Sequence, residues 1–100
     1  MSRQFIEATI SLVRSSEGGR SGPLRSGYRS LLRFEGHPVD FGFELELSPH
    51  VRMGGLRPGE SGVARLSLWA VEDLPPIVAG MKFEIREGAR VVGYGSVLHV

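Results

Sequence analysis

The sequence predicts an all-β fold, a six-stranded antiparallel closed β-barrel. Three observations lead there. Apolar and polar residues alternate with a period of two in several short runs, which marks half-buried strands. The runs are parted by stretches that hold most of the 14 glycines and 6 prolines, and those residues punctuate a chain as turns. No stretch gives a convincing helix. Short strands joined by Gly/Pro turns pack as a barrel or a sandwich. Closure into a barrel hides the edges that a chain of 100 residues must protect from pairing with other chains.

The first strand runs from Phe5 to Val13, with Ile6, Ala8, Ile10 and Leu12 alternating with Glu7, Thr9 and Ser11. Residues 15–27 hold Ser15, Ser16, Gly18, Gly19, Ser21, Gly22, Pro23 and Gly27, and read as one long loop without an element. A second strand follows near Tyr28 to Phe34. The third is the clearest: Phe41, Phe43, Leu45 and Leu47 share one face, with Gly42, Glu44 and Glu46 on the other. Residues 48–62 are again turn-rich. Ala64, Leu66 and Leu68 then alternate with Arg65, Ser67 and Trp69.

Proline lacks the ladder N–H, so Pro75-Pro76 interrupts regular pairing. Pro75 to Val78 reads either as an exposed apolar patch or as a loop tucked over a barrel end. Met81, Phe83 and Ile85 alternate with Lys82, Glu84 and Arg86 in a fifth strand. The tract Arg86-Glu87-Gly88-Ala89-Arg90 turns the chain, with Gly88 expected in a left-handed conformation. Glu87 reads as an exposed turn charge whose truncation would be nearly neutral. The last strand is expected to carry Val92, Tyr94, Ser96 and Leu98 on one face. Gly93 and Gly95 fall on the other, where a neighbouring backbone approaches or the strand coils. The core should include Ile10, Leu12, Phe43, Leu45, Leu66, Leu68, Phe83 and Ile85.

Length sets one domain over residues 1–100. The hydrophobic fraction of 41% and charged fraction of 23% are those of a soluble globular protein. Apolar runs stay far short of the roughly 20 residues of a membrane span. Met1-Ser2-Arg3-Gln4 leads straight into a strand pattern with no apolar leader. Cysteine is absent, which removes disulfides, thiolate metal sites and thiol nucleophiles. A cytoplasmic location without membrane contact is the simple expectation. Net charge is +1, so bulk charge does not demand a nucleic-acid partner. Lys82 stands alone among arginines, whose planar forks suit phosphate and carboxylate.

No catalytic set emerges, and the chain is not expected to be an enzyme. It has no Gly-x-x-x-x-Gly-Lys-Ser/Thr run, which excludes P-loop nucleotide hydrolysis, and no Gly-x-Ser-x-Gly elbow. Asp40-Phe41-Gly42 spells a kinase tripeptide, without the glycine-rich loop and paired lysine that would give it meaning. His37, His50 and His99 fall in separate segments without ligand spacing, so no metal is expected. Glu44 and Glu46, with Asp40 in register, read as a solvated strand face rather than an acid–base pair. Tyr28 and Trp69 read as barrel aromatics with one wet end, or as platforms for stacking bases. No cofactor and no small-molecule substrate is indicated.

Specific blocks then stand in order along the chain: Glu17-Gly18-Gly19-Arg20 with Pro23, Ser26-Gly27-Tyr28-Arg29, and Pro58-Gly59-Glu60 before a strand. Phe83, Ile85, Arg86-Glu87-Gly88, Arg90, Val92-Gly93 and Gly95 complete them. Together, over about 90 residues, they resemble the C-terminal barrel of elongation factor Tu. The resemblance implies that topology, and the barrel is expected to stand alone, without the GTPase that accompanies it in the family. It also implies extensive protein contacts, and contact with the T-stem side of the aminoacyl-tRNA acceptor arm through the Gly-Gly-Arg loop and the Arg-Glu-Gly turn. Arg20, Glu87 and Gly88 match that pattern. Ser21-Gly22 stand where the family has His-Thr, Ser30 replaces a proline, Leu31 a glutamine and Glu35 an arginine.

Two functions follow as expectations. The first is a non-enzymatic, translation-related binding module whose partner is a protein: a translation GTPase, an exchange factor or another copy of the chain. The alternative is RNA binding at the tRNA acceptor arm and T-stem. Its candidate contacts are Arg20, Glu87 and Gly88, with Arg25, Arg29 and Arg90 as neighbours, and it requires those arginines to share one basic face.

Overall fold

The computed structural model describes residues 3–51, 53–69 and 71–100; Met1 and Ser2, read above as leading into the first strand, lie outside them. The alternating runs become six strands: β1 Gln4–Leu12, β2 Arg29–Phe34, β3 Asp40–Leu47, β4 Ser61–Leu68, β5 Lys82–Glu87 and β6 Arg90–His99. They close into a barrel in the order β1-β4-β3-β2-β5-β6, with β6 paired back onto β1 and every pairing antiparallel. Register follows the alternation. Ala8 opposes Ala64 and Ile6 opposes Leu66, while Leu45 opposes Leu66 across the next pair. A one-residue slip would turn each inward set to solvent, so the pattern fixes the pairing.

All eight expected core residues are buried. Phe34 joins them edge-on to Phe83, with ring centroids 6.1 Å apart, which suits the aromatic quadrupoles. Burial of these side chains drives the fold at about 25 cal/mol per Å² of apolar surface. Two more core residues come from the loops, where no periodicity could mark them. Leu24 and Leu56 are buried and joined by an isolated bridge, Leu24 N–H to Leu56 O at 2.7 Å and Leu56 N–H to Leu24 O at 2.8 Å. The bridge ties the two long loops across one end of the barrel. Gly55 is required there: its φ is +94°, and a Cβ would lie 2.3 Å from the Leu24 carbonyl oxygen.

Several expectations need correction. The 15–27 segment is not without an element, because Ser15–Glu17 form a single 3₁₀ turn closed by Gly18 in the left-handed region. A second such turn spans Val71–Asp73. β2 begins at Arg29 rather than Tyr28, whose N–H instead closes a turn on the Arg25 carbonyl. The faces of β6 also differ. Val92 is buried, but Tyr94 and Leu98 are exposed while Gly93 and Val97 face inward. The cause is a register shift: Ile85 opposes Gly93 while Arg86 opposes Val91. Val92 is thus an extra residue, a bulge that inverts the phase after it. What approaches Gly95 is a ring rather than a backbone, since a Cβ there would meet Phe83 at 2.2 Å.

Antiparallel pairing puts loops 13–28 and 48–60 and the 87–90 turn at one end of the barrel. Loops 35–39 and 69–81 lie at the other. In the latter, Leu74, Ile77 and Met81 pack on the core while Val78 stays exposed. In the Pro75–Val78 stretch Ile77 is thus tucked against the core, while Pro76 and Val78 are left outside.

Candidate functional site

The retained Arg20 and Glu87 meet. Glu87 ends β5, and its carboxylate gathers three donors, two from loop 13–28 and one from the start of β6. Arg20, from the glycine-rich loop, forms an ion pair with it. Tyr28 donates its hydroxyl at 2.7 Å, and Arg90 donates from across the turn at 3.4 Å. Arg20 also donates to the Pro23 carbonyl at 3.2 Å and lies over the Tyr28 ring, 4.9 Å from its centroid. The same ring packs edge-on to Phe43 at 6.0 Å, so the cluster rests directly on the core.

Burial would push the Glu87 carboxyl up. The Tyr28 and Arg20 hydrogen bonds and the Arg20 charge outweigh it and hold the group below the usual carboxylate range. Burial, together with the hydrogen bond to the Glu87 anion, raises Tyr28 above the ordinary phenol value. Glu87 is therefore not the free turn charge expected from sequence. It fastens the Gly-Gly-Arg loop to the last hairpin. Gly88, beside it, has φ +64° with open space where a Cβ would point, as the turn reading required.

Arg25 and Arg29 are engaged elsewhere. Arg25 Nε donates to the Gly54 carbonyl at 3.3 Å. Arg29 Nε donates to Glu44 at 2.9 Å and lies 5.8 Å from the Trp69 ring centroid. Arg29 belongs to a ladder along the outer face of β2 and β3, where Arg29 opposes Glu44 and Arg33 opposes Asp40. Arg33 Nε donates to Asp40 at 2.7 Å, and that bond raises the guanidinium above its usual value. Glu44 and Asp40, read as part of a solvated face, thus pair across strands, the sheet's own form of side-chain stabilisation. Trp69 packs against Gly42: a Cβ there would sit 2.7 Å from its ring. Arg3 covers it at 5.1 Å. Both candidate stacking platforms are occupied by the protein's own arginines.

The barrel also presents a flank that the alternation did not announce. Phe5 on β1 and Tyr94 and Leu98 on β6 are exposed, as is Val100 beyond it. Phe5 and Val100 line one cleft with Glu7, Arg65 and His99, and Arg65 lies over the Phe5 ring at 4.1 Å. Val78 is carried to the same side, because Gly80 N–H donates to the Val97 carbonyl at 2.8 Å. One signal was present in the sequence, since Phe5 falls in the polar phase of the first strand. The β6 residues were hidden by the bulge.

Among the described residues, no three histidine and acidic side chains are grouped to hold a metal ion. No helix among them is long and apolar enough to cross a membrane. The sequence profile of the elongation factor Tu C-terminal domain matches residues 2–100. The ordered blocks, the closed six-stranded barrel and that match lead to one conclusion: the chain belongs to the elongation factor Tu C-terminal domain family.

Proposed function

We propose that the chain is a non-enzymatic, translation-related binding module working in the cytoplasm, and that it engages a protein partner through the β1–β6 flank. The observation that carries this is the distribution of exposed apolar residues. Of seven large exposed hydrophobics among the described residues, Phe5, Tyr94, Leu98 and Val100 sit on that flank, with Val78 beside it. Exposed apolar surface rimmed by charge marks protein contact sites, and aromatic anchors dominate their energetics; Phe5 and Val100 share one cleft, and Tyr94 stands further along the strand pair, opposite Ser11. Glu7, Arg65 and His99 supply the polar rim here. A translation GTPase or an exchange factor is the partner class that goes with the family. Capture from native lysate at high salt tests the idea, with Phe5→Asp/Leu98→Asp beside the wild type. One translation factor should be enriched by the wild type and lost with the variant. Identical captures by both would overturn the reading.

A second reading, RNA contact by Arg20, Arg25, Arg29, Glu87, Gly88 and Arg90, is supported by the arginines of the loops at the 13–28 end. Against it stands the internal pairing of Arg20 and Arg90 with Glu87 and of Arg29 with Glu44. Phosphate contacts on single strands lower log K by about 0.7 per contact against log salt, and on duplexes by about 0.9. Saturable tRNA binding with such a slope would favour this reading over the flank.

A further inference from the structure

A net charge of +1 conceals a polarity that only the topology exposes. At the end formed by loops 13–28 and 48–60 and the 87–90 turn, Arg14, Arg25, Arg57 and Arg90 are exposed. Of the three glutamates at that end, Glu60 and Glu87 are half-buried and only Glu17 is exposed. At the opposite end, loops 35–39 and 69–81 expose Glu35, Glu72 and Asp73 and contain no lysine or arginine; Arg3, just before β1, and Lys82, which opens β5, are the exposed cations beside them. Each end also carries an apolar tip. Met53 is 98% exposed on the cationic side, and Val39 is half exposed on the anionic side.

We infer that these two ends are complementary faces for a second copy of the chain, the cationic end of one barrel docking on the anionic end of the next. The barrel has no free edge for strand addition, so association must use faces of this kind. Charge complementarity steers such an encounter and fixes its orientation. The body measures 35 × 29 × 24 Å, so an end offers no more than the ~800 Å² per partner of a standard interface. The contact is therefore weak. It is also screened, because the Debye length is about 8 Å at physiological ionic strength. A head-to-tail contact does not close on itself unless its rotation makes a ring, so the product is a growing series rather than a fixed dimer. This inference goes beyond the flank reading and is independent of it: Phe5→Asp/Leu98→Asp leaves both ends intact.

Sedimentation equilibrium over a range of protein concentrations, at low and at high salt, tests it. At low salt the weight-average mass should rise with concentration, and at high salt it should stay at one chain. Two charge reversals sharpen the test. Glu35→Lys/Glu72→Lys/Asp73→Lys makes both ends cationic, and Arg14→Glu/Arg25→Glu/Arg57→Glu makes both anionic. Each variant alone should remain monomeric at low salt, and an equimolar mixture should associate. Should the first triple variant lose its β-sheet circular dichroism, charge reversal of Glu72 and Asp73 alone replaces it; should the second, charge reversal of Arg25 and Arg57 alone does. A monomeric wild type at low salt, or association indifferent to salt and to both reversals, would overturn the inference. Low-salt binding of a polyanion without self-association would overturn it as well.

Discussion

Glu87 shows how one side chain can be misread when its surroundings are unknown. From sequence it is a charge in a turn. In the fold it accepts from Arg20, Tyr28 and Arg90, so its loss removes an acceptor from two guanidiniums and a phenol. Hydrogen bonds to charged groups contribute about 1.5–3 kcal/mol. The cluster is partly open to water, which reduces that, and Glu87→Gln should cost about 1–2 kcal/mol. The pH response follows from the direction of the shift. A carboxyl held below its unfolded value contributes stability that is complete above the unfolded value, and loses it as pH falls through the folded one. Wild type should therefore lose stability on the acid side more steeply than Glu87→Gln, as urea midpoints over an acid pH series would show. Tyr28 acts in the opposite sense. Its raised value gives stability that is complete below the unfolded phenol value and lost as pH rises through the folded one.

Gly88 makes a contrasting case. No atom lies near its missing Cβ, so any substitution cost is conformational alone. A left-handed non-glycine residue costs about 1–2 kcal/mol, and a β-branched one more. Gly88→Val should lower the thermal midpoint clearly, with Gly88→Asn close to wild type. Equal midpoints for Gly88→Val and wild type would show that the turn does not constrain the hairpin.

At the scale of elements, legibility divides by the source of the signal. β1 and β3 could be read almost to the residue, because their period of two is unbroken from Ile6 to Leu12 and from Phe41 to Leu47. β4 was found from Ala64, Leu66 and Leu68 but begins at Ser61, inside the stretch read as turn, because Ser61 and Gly62 carry no apolar signal. β6 was found but mis-faced, since one extra residue at Val92 shifts the phase and a bulge leaves no mark in composition. Leu24 and Leu56 were missed altogether, because burial in a loop follows from closure of the barrel end and has no periodicity. Leu24→Ala should cost about 2–5 kcal/mol, the range for truncating a fully buried leucine, although it lies outside every strand. Gly95→Ala should cost about 1–3 kcal/mol by forcing the Phe83 ring aside. Phe83→Leu combined with it should recover part of that loss, measurable as a double-mutant cycle on unfolding free energy.

The whole molecule could be read as a family barrel because ordered turn blocks survive at barrel spacing. Pro58-Gly59 lies just before β4, and Arg86-Glu87-Gly88 joins β5 to β6. The site was less legible. Arg20 and Glu87 were named together from the blocks, and the fold joins them, but it pairs Arg25 and Arg29 with other groups. Which charges neutralise each other depends on cross-strand register, and register belongs to the assembled barrel. For the same reason a net charge near zero hid two ends of opposite sign, and the apolar flank emerged only when β6 closed on β1.

The central claim, that the β1–β6 flank is the contact face for a protein partner, has a direct test in hydroxyl-radical footprinting. The chain would be compared alone and in its captured complex at high salt, where contact between barrel ends is suppressed. The reporters are already in place: Phe5, Tyr94 and Leu98 on the flank, and Met53, almost fully exposed, at the cationic end. Reduced oxidation of Phe5, Tyr94 and Leu98, with Met53 unchanged, is the predicted result. Protection of Met53 while the flank stays open to oxidation would contradict the claim and move the contact face to the Arg20–Glu87 end.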